Sequence, residues 1–216
     1  MLRQDLSEKP VLGLTWAEFY DRVRTSETPE VFQNRLTVIN TARDLFSSVS
    51  HFCDLDRSDR RKIGGFRRPS EVGYGMFGGL GGGGTFQSVV NQNNPNLSAA
   101  LDKVPLQGEI TKLTYLAFVC EFKNASPSGG GGISAATRLL AMKRPDSFVR
   151  ISERNRELFC EDFQIAKGTG LDNYWERVID PIMKSPWWNS AMPDTGDEQE
   201  VWKARAAFLD AIFRRE

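Results

Sequence analysis

Apolar residues repeat at a helical period along most of this chain, which leaves little room for a sheet. Phe32, Leu36, Ile39, Leu45, Phe46 and Val49 place one broad apolar face on a helix predicted from Pro29 to about His51. Ile110, Leu113, Ala117, Cys120 and Phe122 repeat in the same way between Glu109 and Asn124, as do Val201, Trp202, Ala206, Leu209, Ile212 and Phe213 near the C-terminus. The expected fold is therefore mainly α: a single helical domain over residues 1–216 with little or no sheet. At 216 residues a sizeable core can form, and Phe46, Leu139, Leu140, Trp202 and Leu209 are expected inside it.

Local signals punctuate this pattern. Residues 1–14 read as a loose arm. Thr15 and Glu18 have the spacing of a capping box for a helix opening at Trp16, and Pro29 suits the first position of the next helix, which we expect to be the central one. Residues 54–96 form a basic and glycine-rich loop region. Within it, Gly73–Phe86 lacks the Gly-Lys-Ser/Thr ending of a phosphate-binding Walker loop and the βαβ setting of a dinucleotide fold. It reads as a turned loop pinned by Tyr74, Met76, Phe77, Leu80 and Phe86. Further helices are expected at Glu153–Phe163, at Leu171–Met183 with a break near Pro181, and from Asp197 onward. Trp175, Trp187, Trp188 and Trp202 read as packing residues rather than a base-stacking platform.

Lysine plus arginine and aspartate plus glutamate each number 28, so no global charge draws the chain to nucleic acid or to an anionic membrane. Any such binding must come from a local patch. One candidate is Arg60, Arg61, Lys62, Arg67 and Arg68, with Arg57 nearby, offset by Asp54, Asp56 and Asp59. It reads either as a solvated loop or as an edge whose guanidinium forks match phosphate oxygens. One histidine, His51, and three scattered cysteines give no zinc-ligand spacing, so no metal is expected. The cysteines read as reduced core thiols. No apolar run is long enough for a membrane span, and the N-terminal stretch lacks a signal-peptide core, so the expected setting is cytoplasmic.

The second glycine run, Gly129, Gly130, Gly131 and Gly132, lies between two predicted helices and leads into Ile-Ser-Ala-Ala-Thr-Arg-Leu-Leu. Glycines allow a close approach to phosphate, and amides at a helix start point toward the anion. Residues 109–156 resemble, distantly, the helix–hairpin–helix unit of the DNA glycosylase superfamily. The resemblance implies DNA as a partner, bound through its backbone phosphates with modest sequence preference, in repair, maintenance or anti-phage defence. Phosphate contacts would come from the four glycines, Ser134, Lys143, Arg144, Arg150 and Arg154. Ser134 stands where bifunctional members of that family carry a lysine, and serine cannot form their Schiff base. The catalytic aspartate position falls at Ser152, which leaves Glu153 as the local carboxylate. The reading therefore favours a non-catalytic role with no cofactor.

Two rival readings remain open. If Leu116–Lys123 were a strand, Glu121 and Lys123 would share a face and resemble a PD-(D/E)xK nuclease, with Asp102 as a further Mg²⁺ ligand. Alternatively, the chain is a non-enzymatic subunit that binds a protein partner.

Overall fold

A computed structural model describes residues 9–66, 74–78, 85–125, 132–194 and 196–213. Regular structure among these residues is entirely helical. Helix α1 (Trp16–Thr25) starts as expected. The Thr15 hydroxyl accepts from the Glu18 N–H, and the Glu18 carboxylate accepts the Thr15 N–H at 2.6 Å. That backbone bond, with Lys9 and the Thr15 hydroxyl, lowers the Glu18 pKa to about 2. Helix α2 (Pro29–Ser47) ends short of His51, because the Ser48 N–H and hydroxyl turn back onto the carbonyls of Asp44 and Leu45. The basic stretch is not an open loop throughout. Asp56 caps a short helix α3 (Arg57–Ile63). Helices α4 (Thr85–Asn91), α5 (Pro95–Asp102), α6 (Lys112–Ala125) and α7 (Gly132–Lys143) follow.

The central helix is α7 rather than α2. Every residue from Ala135 to Met142 is buried, whereas α2 buries one face. A helix buried all round must be approached from several sides, and α7 packs against α2, α5 and the short helix α9 (Leu171–Tyr174). Ala135, Ala136 and Ala141 allow that approach because they carry little side-chain volume.

Helix α6 departs from the sequence expectation. Leu113 is 78% exposed and Cys120 is also exposed, while Tyr115, Phe118, Val119, Phe122 and Ala125 face the core. Both sides of this helix are apolar. The side bearing three aromatic rings offers more area to bury, and it is the side that packs. Tyr115 meets Phe148, Tyr174 and Trp175, and Phe122 meets Phe86 and Phe118.

After α7 the buried stretch Phe148–Ser152 has no regular secondary structure. Side chains satisfy its backbone instead. Tyr174 Oη accepts the Val149 N–H and donates to the Val149 carbonyl, Thr137 Oγ1 accepts from Ile151, and Asn155 bonds the Ser152 N–H and the Arg150 carbonyl. Helix α8 (Arg156–Asp162) is shorter than predicted. The break predicted near Pro181 comes earlier, as a π turn (Trp175–Ile179) closed by the Asp180 N–H on the Trp175 carbonyl. Pro181 then sits in the first turn of α10 (Asp180–Lys184), where a missing N–H is tolerated. The predicted last helix divides into α11 (Gly196–Trp202) and α12 (Leu209–Ile212), and between them the Ala207 N–H donates to the Pro145 carbonyl.

Phe46, Leu139, Leu140 and Leu209 are buried as expected. Trp202 is half-buried. Its Nε1–H reaches Ser190, and the Arg205 guanidinium lies 4.0 Å from its ring centroid. Trp187 is fully buried, stacked on Phe19 at 4.2 Å. Leu140→Ala should destabilise the fold by about 2–5 kcal/mol in denaturant titration, because α7 is enclosed on all sides and the void could not collapse.

Candidate functional site

The most unusual chemistry in the fold is a set of arginines beneath the surface. Arg35 and Arg138 are 0% exposed and Arg150 is 5% exposed. A guanidinium is rarely buried without partners, so each set of partners matters. Arg35 projects from the buried face of α2. It forms a fork with Glu27 at 2.5 and 2.7 Å and reaches Asp210 at 2.9 Å, with its guanidinium over the Phe77 ring. Burial works against its charge, but the two carboxylates outweigh burial and raise its pKa above the ordinary arginine value.

Arg138, on α7, has no carboxylate at hydrogen-bond distance among the described residues. Its three nitrogens donate to the carbonyls of Ile63, Tyr74 and Met76 at 3.0, 3.0 and 2.5 Å. Burial, reinforced by the charge of Arg150, lowers its pKa to about 9, with Asp210 opposing. Arg150 donates to the Phe77 carbonyl at 2.8 Å and to Ser134 Oγ at 3.0 Å. Its Nε is buried with no hydrogen-bond partner among the described residues. Burial lowers its pKa to about 10, opposed by Asp210 and aided by the like charge of Arg154. Asp210 completes the set by accepting from Asn155 at 2.8 Å. Gly78 is held at φ +69°, and a Cβ there would lie 0.9 Å from Arg150 Nη1. Residues 77–78 of one glycine-rich segment and Ser134 in the first turn of α7 thus meet at one guanidinium.

The residues expected to contact phosphate fall into separate groups. Arg60 is buried and donates to the carbonyls of Val90 and Leu55. Arg144 is buried and engages Asp146 and the carbonyls of Pro105 and Gly108. Lys143 donates to the Leu101 carbonyl at the far end of α7. Arg61 binds Asn91 and covers the Phe66 ring, and Lys62 pairs with Asp59. Arg57, Arg154 and Gly132 are exposed, and Gly132 has φ +42°. Gly129, Gly130, Gly131, Arg67 and Arg68 lie outside the described residues.

The catalytic candidates do not converge. Glu153 is exposed, while Ser152 beside it is buried with its N–H on Asn155. The strand required by the nuclease reading is part of helix α6, so Glu121 and Lys123 are separated by about 200° around the axis. Lys123 pairs with Asp172 at 2.7 Å, and Asp102 pairs with His51 at 2.9 Å. No cluster of three or more His, Cys, Asp or Glu suited to a metal occurs among the described residues, nor does a helix long and apolar enough to cross a membrane.

The sequence reading assigned Arg150 to a surface contact and left Arg35, Arg138 and Asp210 unassigned. Their signal is a charged residue at a core position: Arg35 sits among Phe32, Leu36 and Ile39, and Asp210 sits between Leu209 and Ala211. Asp210→Ala should lower stability by about 3–5 kcal/mol in chemical denaturation, since it removes the acid that opposes the charge of buried Arg138 and Arg150 and one of the two that pair with Arg35. A change under about 0.5 kcal/mol would show that the acid does not hold the cluster together. No protein family, curated protein or solved structure matches this chain.

Proposed function

We propose that the chain is a DNA-associated protein that holds backbone phosphates around the head of α7, with modest sequence preference and no catalysis. The observation that carries this reading is the Arg150 bridge between Phe77 and Ser134. It concentrates positive potential where the glycine-rich segment and the start of α7 come together. The N-terminus of α7 adds a partial positive charge of about half a unit. Arg138 lies one turn deeper and bonds the end of α3 at Ile63, which brings the basic face of α3 near the same helix. Exposed Arg154 and Arg57 supply guanidiniums that phosphate oxygens can reach. The resemblance of residues 109–156 to helix–hairpin–helix DNA glycosylases points toward DNA. Ser134 accepts from Arg150 where a lyase would need a lysine, which favours binding over chemistry.

Fluorescence anisotropy with labelled duplexes of unrelated sequence tests this reading. Affinity should fall linearly with salt on logarithmic axes, by about 0.9 per phosphate contacted. Arg154→Glu should weaken binding to every sequence to a similar extent. Absence of binding to any duplex at low salt would overturn the proposal.

A second reading, that of an interaction subunit, is favoured by the outward face of α6. Leu113, Leu116 and Cys120 line up there with half-buried Ala117, at the i, i+3, i+4, i+7 spacing of a helix-packing stripe. The occupant this stripe suits is a second copy of the chain. An antiparallel α6 pair would set Leu113 against Cys120 and Lys112 against Glu121, matching both apolarity and charge. Light scattering should then give a dimer that Leu113→Glu converts to monomer, and a monomeric wild type would exclude this pairing.

A further inference from the structure

We infer that the head of α7 selects a phosphate monoester, free or at the end of a nucleic-acid strand, over the phosphodiester of a strand interior. The inference rests on the reading above for the place of the phosphate, not for the DNA. Arg60, Lys143 and Arg144 spend their donors elsewhere in the fold, so the basic groups form no track along which a run of diesters could lie. At the head of α7 donors converge on one point instead.

Helix α7 is 12 residues long, and its first amides have no acceptor within the helix. The surface there is open. Gly132 is exposed, and a Cβ built on it meets no described atom within 4 Å. Ser134, half-buried in the first turn, accepts from Arg150 Nη2 at 3.0 Å. Accepting that bond leaves the hydroxyl its own proton to donate. The Nε–H and Nη2–H groups of a guanidinium lie along one edge, the edge that Arg35 presents to Glu27 as a fork. In Arg150, which is 5% exposed, Nη2 carries this edge to Ser134, and Nε on the same edge is buried with no partner among the described residues. The fork is therefore aimed at the first turn of α7 with one N–H unmet.

Charge is unmet at the same point. The partners of Arg150 are a carbonyl and a hydroxyl. Asp210, the acid whose charge acts on it, is already bonded by Arg35 and Asn155. Exposed Arg154 stands near enough for its like charge to act on Arg150. Two guanidiniums suit a dianion better than a monoanion. A diester carries one charge and two free oxygens, whereas a monoester carries about one and a half to two charges at neutral pH and three free oxygens. In a monoester the first-turn amides, the Ser134 hydroxyl and the Arg150 Nε–H each meet an oxygen. In a diester one of them goes without.

Protein NMR on the full chain compares inorganic phosphate with dimethyl phosphate, and fluorescence anisotropy compares duplexes ending in a phosphate with the same duplexes ending in a hydroxyl. Inorganic phosphate should bind at least about tenfold more tightly than dimethyl phosphate. Ser134→Ala and Arg150→Lys should each cut that ratio to below about threefold, since the lysine keeps the charge but has no fork. The ratio reads the site itself, because a loosened fold would weaken both ions together, and circular dichroism establishes that each variant is folded. Preference for the monoester in the small-ion comparison alone assigns a free phosphate, and preference in the duplex comparison assigns a strand end. Preference in neither overturns the inference, as does a preference that survives unchanged in both folded variants. Salt-dependent binding of the hydroxyl-ended duplex would then leave the DNA reading standing, and its absence beside a monoester preference would remove that reading alone.

Discussion

The fold depends on how three buried guanidiniums are met by other groups of the protein. Arg35 is met by carboxylates, whereas Arg138 is met by backbone carbonyls and Arg150 by one carbonyl and the Ser134 hydroxyl. A carbonyl carries no net charge, so it stabilises the cation only when it points along the N–H at close range. That requirement fixes the course of Ile63, Tyr74, Met76 and Phe77. The segment 74–78 is not part of a helix, and its place is set by the arginines it solvates. Asp210 then joins α12 to α2 and to Asn155. Parts of the chain as distant as residues 35 and 210 are held by the same electrostatic requirement.

Helices satisfy their own backbones, so side-chain bonding concentrates where the chain is not helical. Phe148–Ser152 illustrates this. A buried segment outside a helix needs partners for its backbone groups, and no strand is present among the described residues to supply them. Tyr174, Thr137 and Asn155 take the part of that strand. Burial raises the Tyr174 pKa well above the ordinary tyrosine value, so its hydroxyl stays protonated and can both donate and accept. The break between α11 and α12 has a similar origin. Turning the chain at residues 203–208 pairs Ala207 with Pro145 and starts α12 where Asp210 enters the cluster.

Features fixed by local chemistry were legible in the sequence. The capping box at Thr15 and Glu18, Pro29 at a helix start and the apolar face of α2 follow from residue type and spacing, and the structure bears them out. The face of α6 was not legible, because period alone cannot choose between two apolar sides. That choice depends on α5 and the aromatic residues that α6 meets. Nor was the centrality of α7 legible. Arg138 in a run of Ala, Leu and Met reads as a polar face until the carbonyls that surround it are known.

The burial of Arg60, Arg144 and Arg150 changes how the proposed DNA reading should be understood. A count of basic residues treats each as a hydrogen-bond donor to phosphate, yet these three donate inside the fold. Their charge is not thereby hidden. Arg144 is neutralised by Asp146, but a cation met by neutral groups, such as Arg150, keeps its field, and a low-dielectric interior screens that field less than water does. Arg150 and Arg138 would therefore act on an anion at the head of α7 at a distance, while Arg154 and the first-turn amides make the contacts. A field of this kind distinguishes charge but not base sequence, and a modest sequence preference is what it would give. At the head of α7 the nearby buried charge is mostly positive and suits a polyanion.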